Sequence, residues 1–145
     1  MLSSHLWLIF AFLSALTAGF VAIFGKMGLQ TLDANAATAV RSFIMSLFLL
    51  LVVAAQGNLH KIPGIIAQRR GLLFIALSGI AGALSWLFYF LALKHGKVSQ
   101  VAPVDKLSVV LAATLAVLFL GETIGKMNIL GLALITIGVV IVAVS

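Results

Sequence analysis

The residues with the clearest capacity for chemistry lie in one short stretch, Pro103-Val104-Asp105-Lys106. It sits inside an apolar run of membrane-spanning length. A charge at the middle of a bilayer costs about 2.5–3.5 kcal/mol on insertion scales, so Asp105 needs a compensating role. Pro103 has no backbone N–H and disturbs the ladder near the preceding turn, so a kink is expected there, with carbonyls released near Ser99. A kinked half-helix beside an acid suits ion or proton coupling, or a substrate site. The competing expectation is structural: Asp105 is locked to Lys106 or Arg41 and carries no cargo. Arg41 stands just over a turn into another apolar run. Its long stem lets it snorkel to the headgroups; alternatively it points inward, toward Asp105 or an anionic substrate. Helical spacing places Thr38, Met45 and Phe48 on its face.

Aromatic residues form a second cluster. Trp86 and Tyr89, three apart, share a helix face with Gly82 and Ala83. Rings over a groove of small residues are candidate walls of a pocket for an apolar or cationic solute. An interfacial aromatic belt accounts for the same residues, and Phe90 is assigned to the belt. Lys26 ends an apolar run, where a helix dipole favours a cation. Glu122 and Lys126 have the spacing and order of a helical ion pair. His5, His60 and His95 are far apart, and there is no cysteine. No metal site, cofactor or enzyme signature follows from these residues. The basic residues are scattered, which argues against nucleic-acid binding.

The elements that must position these groups are membrane helices. Apolar residues make up 63% of the chain and charged residues 8%, too few to clothe a soluble domain. The lipid bilayer is the natural solvent for the excess. About 20 mostly apolar residues cross it as a helix, and five windows qualify: 6–24, 36–55, 72–93, 98–120 and 127–144. The first is longer than a signal h-region and has no basic residue before it, so a retained helix is expected. Asp33 or Asn35 is placed to cap the second helix. The longest polar segment, Gln56–Gly71, has room for a short interfacial helix from Pro63. The expected fold is all-α, a single transmembrane domain over 1–145. The windows do not alternate as barrel strands do. Small residues, Gly19 on the first helix, Gly82 on the third, and Gly131 and Gly138 on the fifth, are expected at helix–helix contacts.

Particular runs carry a resemblance. Phe119-Leu120-Gly121-Glu122-Thr123, followed by the segment from Gly131 to Val140, resembles the close of an EamA-type repeat of the drug/metabolite transporter superfamily. Val98-Ser99-Gln100-Val101-Ala102-Pro103 resembles its junction between the third and fourth helices, and Gly25-Lys26-Met27-Gly28-Leu29 the end of its first. Larger members carry two such five-helix repeats in opposite orientation; this chain is similar to the small single-repeat members. The glutamate that small multidrug resistance proteins carry in helix one has no counterpart here, so their mechanism does not transfer.

The resemblance implies half of a secondary transporter that moves a small organic solute by alternating access. Asp105 is the candidate for coupling, Arg41 and Lys106 for holding its charge or an anionic substrate, and Trp86 and Tyr89 for pocket walls. The alternatives are a non-transporting accessory or scaffold subunit and a lipid flippase component. A dimer is expected, preferably an antiparallel homodimer, otherwise a parallel dimer or a heterodimer with a paralogue. Lys61, Arg69, Arg70 and Lys126 fall on one side of the membrane; Lys26, Lys94 and Lys97 fall on the other, with Arg41 close by. So near a tie permits dual orientation in the plasma or inner membrane, with a weak bias toward a cytoplasmic N-terminus.

Overall fold

The computed structural model describes residues 6–145 and is all-helical. The helices are α1 (Leu6–Gly28), α2 (Ala34–Ala55), the short α3 (Ile62–Ala67), α4 (Arg69–His95), α5 (Val98–Asp105), α6 (Leu107–Leu120) and α7 (Lys126–Val144). Taking α5 and α6 together as Val98–Leu120, five segments are long and apolar enough to cross a membrane. His5 lies outside the described residues.

Burial has the pattern of a chain solvated by lipid. Among the described residues only Ala22, Leu29, Ala34, Thr38, Phe90, Leu93 and Val139 are buried, while Phe43, Phe74, Phe119 and many leucines stand exposed. In water that much apolar surface would drive aggregation; in hydrocarbon it costs nothing.

Helix ends run past the apolar windows. α1 continues through Lys26 to Gly28, and α4 begins at Arg69, so Lys26 and the Arg69–Arg70 pair are helical. Hydropathy marks the part of a helix that meets hydrocarbon, whereas backbone hydrogen bonding continues into the headgroup layer. Of the two candidate caps, Asp33 fills the position: its carboxylate accepts from Ala36 N–H at 2.9 Å. α2 closes at Gln56, and Pro63 lies in the first turn of α3. Gly121 terminates α6 in the left-handed region, φ 67°, which a residue with a Cβ disfavours. The Glu122 N–H then bonds back to the Ala116 carbonyl at 3.3 Å, closing the last turn of the helix. Residues 121–125 are not helical, so Glu122 and Lys126 do not stack as an (i, i+4) pair.

The helices fall into two compact units, Gly25–Lys94 and the remainder of the chain. In the second, α7 packs on α5 and α6. In the first, α1's last turn meets α4's last turns. Lys26 Nζ donates to the Leu93 carbonyl at 2.6 Å. Leu93 is among the last carbonyls of α4, which have no partner within their own helix, so Lys26 serves a second helix end besides its own. Lys94 Nζ reaches the Leu32 carbonyl at 3.4 Å.

Candidate functional site

Arg41 lies seven residues into α2, about 10 Å along the axis from its start. Its guanidinium carbon stands 3.7 Å from the centroid of the Trp86 ring and 5.4 Å from that of Phe90. The side chain thus turns toward α4. The side chain stacks on the aromatic face of α4, and its Nη1 is buried with no hydrogen-bond partner.

Phe90 is the floor of this arrangement. It is 3% exposed, so it belongs to the core and not to an interfacial belt. The reason is local: Gly25 has no Cβ, and one placed there would come 2.6 Å from Phe90 Cε1. The missing side chain admits the ring between the end of α1 and α4. Phe90 also packs on Trp86 at 6.0 Å between centroids, and Trp86 meets Tyr89 edge-on at 5.6 Å. Arg41 and Trp86 are therefore brought together, with Tyr89 behind Trp86.

A groove of 750 Å³ opens beside the pair, between α2 and α4. Arg41, Ser42, Met45 and Ser46 line it from α2; Gly79, Gly82 and Trp86 line it from α4. A Cβ built at Gly82 would meet no atom within 4 Å, so in this chain the small residues of α4 leave the groove wide. Met45 shares it with Arg41, while Phe48 is exposed. Sequence reasoning missed Ser42 and Ser46. Spacing gave no signal: one and five residues after Arg41 they lie about 100° and about 140° around the helix from it, and share a face only with each other. Ser42 Oγ donates to the Thr38 carbonyl at 2.9 Å, and the buried Thr38 Oγ1 to Ala34 at 2.7 Å. That back-bonding satisfies hydroxyls in an apolar setting.

The energetics of Arg41 are unbalanced. Stacking on a desolvated ring supplies about 2 kcal/mol, against an insertion cost of about 2.5–3.5 kcal/mol. An unmet buried donor adds about 1–3 kcal/mol to the cost. The sum favours an acceptor at Nη1.

Asp105 and Lys106 form the other charged locus. Lys106 Nζ lies 3.2 Å from Asp105 Oδ2, with the lysine 55% and the aspartate 33% exposed. The helix breaks at Lys106, where the backbone N–H turns back to the Pro103 carbonyl at 3.0 Å. Successive residues of a regular helix do not face each other; this tight turn is where the two meet. Pro103 itself remains within α5, and the interruption falls three residues later. Gly131 lines a smaller cavity of 380 Å³ with Glu122, Thr123 and Asn128. Among the described residues, a Cβ at Gly19, Gly131 or Gly138 would meet no atom within 4 Å.

Comparison with known proteins agrees with five apolar helices. Residues 5–144 match the EamA-like transporter family. A Sinorhizobium protein described as an uncharacterized transporter in the cobO 3′ region is 44% identical over 144 residues, 97% of this chain and 99% of its own length. An uncharacterized protein of Methanocaldococcus jannaschii is 30% identical over 81 residues, 56% of this chain and 59% of its own. No solved structure matches. The match over nearly the whole chain carries the assignment: this is a membrane protein of the EamA-like transporter family, a family of transporters and not of enzymes.

Proposed function

We propose that the chain is one half of a secondary transporter that moves a small organic solute across the cell membrane by alternating access. The observation that carries this reading is the groove between α2 and α4, lined by Arg41 and Trp86 from two of the apolar spans. A largely apolar wall with a few convergent polar groups is the usual build of a small-molecule site. Its volume falls in the range of about 300–1,000 Å³ typical of such sites. Asp105 is the coupling group of this proposal, because its carboxylate stands beside an interrupted helix.

The working unit of the proposal is a dimer, by preference an antiparallel homodimer. Five spans in one chain leave a second copy to complete the pathway, and an odd number of spans inverts a repeat that follows in tandem. Two separate copies match that arrangement when they insert in opposite senses. The basic residues Lys61, Arg69, Arg70 and Lys126 nearly balance Lys26, Lys94 and Lys97, so orientation is weakly biased, N-terminus inside. Gly138 presents open surface on α7 for the partner.

The test is flux. Purified protein in liposomes is loaded with a mixed pool of small organic acids, amines and neutral metabolites under an imposed pH gradient, and protein-dependent efflux is measured by mass spectrometry. Efflux of a discrete subset is expected. Efflux equal to that of protein-free liposomes for every class would reject a transporter of these solutes. A C-terminal reporter should give signal on both sides of the membrane; signal on one side alone would favour the parallel or heterodimeric form.

A further inference from the structure

Within its own unit, Gly25–Lys94, Arg41 has one acidic residue, Asp33, which does not neutralise it. Asp33 caps α2. Asp105 is held by Lys106 at 3.2 Å. Glu122 lines the smaller cavity, beside Thr123 and Asn128. Arg41 stands on Trp86 instead of a carboxylate, and among the described residues its buried Nη1 has no acceptor. A guanidinium is never deprotonated in proteins, so this charge persists in the groove and cannot be relieved by losing a proton. We propose that the missing counter-ion is the cargo: the groove binds a small organic oxyanion, carboxylate or phosphate ester, with its apolar body along the groove.

Each wall of the groove has a part in this. Trp86 stands 3.7 Å from the guanidinium carbon, and N–H groups turned away from the ring would form paired N–H···O bonds with an oxyanion. Ser46 brings a hydroxyl to the same wall one turn beyond Ser42. Leu49, Leu50, Val53 and Ile75 form the apolar length that the body of the ligand would cover. The occupied ring face also reverses the selectivity expected from Trp86 alone. A ring already stacked on a cation repels a second one, so an amine is the poorer ligand. The assignment rests on the transport reading for its purpose, but the binding step can be measured without flux.

The experiment uses the full chain in phosphatidylcholine nanodiscs. There are two tryptophans; replacing the exposed Trp7 by Phe leaves Trp86 as the sole emitter. The probes are benzoate and phenyl phosphate, with benzylamine and benzyl alcohol as cationic and neutral matches. A saturable change in Trp86 emission is expected for benzoate or phenyl phosphate and not for benzylamine. Arg41→Gln should weaken that binding at least about 30-fold, the lower end for removing one partner of a buried charge pair. Arg41→Lys should fall between, since it keeps the charge but loses the planar fork. Should the Arg41 variants not fold, Gly82→Leu provides the second arm: its side chain enters open space beside Trp86 and should block the probe while leaving the helix intact. Repeating the titration in phosphatidylglycerol discs separates the two sources of oxyanion. A change produced by that lipid alone, lost in Arg41→Gln, makes the ligand a headgroup phosphate; probe binding in both lipids makes it a soluble anion. Benzylamine binding as tightly as benzoate, or no response of Trp86 to any soluble or lipid anion, overturns the proposal. Anion binding without flux leaves the site standing and removes transport; flux of amines alone does the reverse.

Discussion

Asp105 meets its counter-charge in the very next residue, whereas Arg41 meets an aromatic ring. The first pair sits at a break in backbone hydrogen bonding and is partly exposed. The second sits on continuous helices, with a ring stack behind it and one N–H unmet. Compensation by a sequence neighbour is cheap and loose: it lowers the cost of carrying a charge and lets the pair part when the helix rearranges. Compensation by a ring is partial and stiff, because a quadrupole holds the guanidinium plane without neutralising it. The two loci are thus suited to different tasks, one to gaining and losing a proton or ion, the other to holding something in place.

The largest expected effects separate those tasks. Asp105→Asn should abolish acceleration of uptake by a pH gradient while leaving benzoate affinity within about twofold, since Asp105 does not line the groove and changes outside such features usually shift energies by under about 0.5 kcal/mol. Arg41→Gln should do the opposite, losing affinity first. Parallel measurement of gradient-driven flux and Trp86 emission reads both. Loss of both properties in either variant would merge the two loci into one.

Next in size is the platform beneath Arg41. Gly25→Ala puts a methyl into the Phe90 ring, and overpacking of a tight core costs about 1–3 kcal/mol. Gly82→Ala, one small residue for another on α4, should cost far less, because its methyl meets nothing. Thermal melting in detergent compares them. Phe90→Leu added to Gly25→Ala should recover part of the loss, and equal melting of the two alanine variants would show that the ring yields freely. Gly138→Leu tests the other unit. If α7 receives a second copy on its open glycine face, this change should shift dimer to monomer by light scattering with little change in melting; an unaltered dimer would place the interface elsewhere.

Lys26→Met should be milder still. It removes one charge-assisted bond to the Leu93 carbonyl, and such bonds contribute about 1.5–3 kcal/mol when buried and less where water or headgroups can substitute. A modest fall in melting temperature is expected, with Trp86 emission unchanged. An altered emission would mean that the end of α1 also sets the position of the ring stack.

The five spans were legible in the sequence because hydrocarbon imposes one requirement, length in apolar residues, and each window meets it. Helix ends were less legible, since Lys26 and Arg69 keep helical backbone bonds while their side chains leave the apolar zone. Arg41 and Trp86 could be named separately but not joined. Spacing along a helix says which residues share a face, and says nothing of which face of another helix comes opposite. Phe90 was misassigned for the same reason. A belt residue and a core residue look alike in sequence, and what distinguishes them is Gly25, sixty-five positions away. The break at 121–125 was legible from its glycines, but the helical pairing of Glu122 with Lys126 was misread, because that spacing makes neighbours only where the backbone between them is helical.

The smallest effect concerns the entrance to α2, on which the position of Arg41 depends. Asp33 accepts the Ala36 N–H, and that bond is the main cause holding its carboxyl below the ordinary aspartate range. Slight desolvation opposes it; the Asn35 N–H and the charge of Lys94 add to it. A carboxyl depressed on folding contributes stability that is fully present above its unfolded pKa, near 3.9. That contribution is lost as pH falls through the lower folded value. Melting of the wild type should therefore be flat from pH 7 to about pH 5 as far as this group is concerned, and decline below about pH 4. Asp33→Asn still accepts the cap bond but carries no charge, so it should melt slightly lower at pH 7 and converge on the wild type at pH 3. Asp33→Ala should be lower than both at pH 7, because the cap bond itself is gone. Melting curves for the three proteins at pH 7, 5, 4 and 3 decide it. If the gap between wild type and Asp33→Asn does not narrow toward pH 3, the charge plays no part in the cap. In that case the hydrogen bond alone starts the helix that carries Arg41.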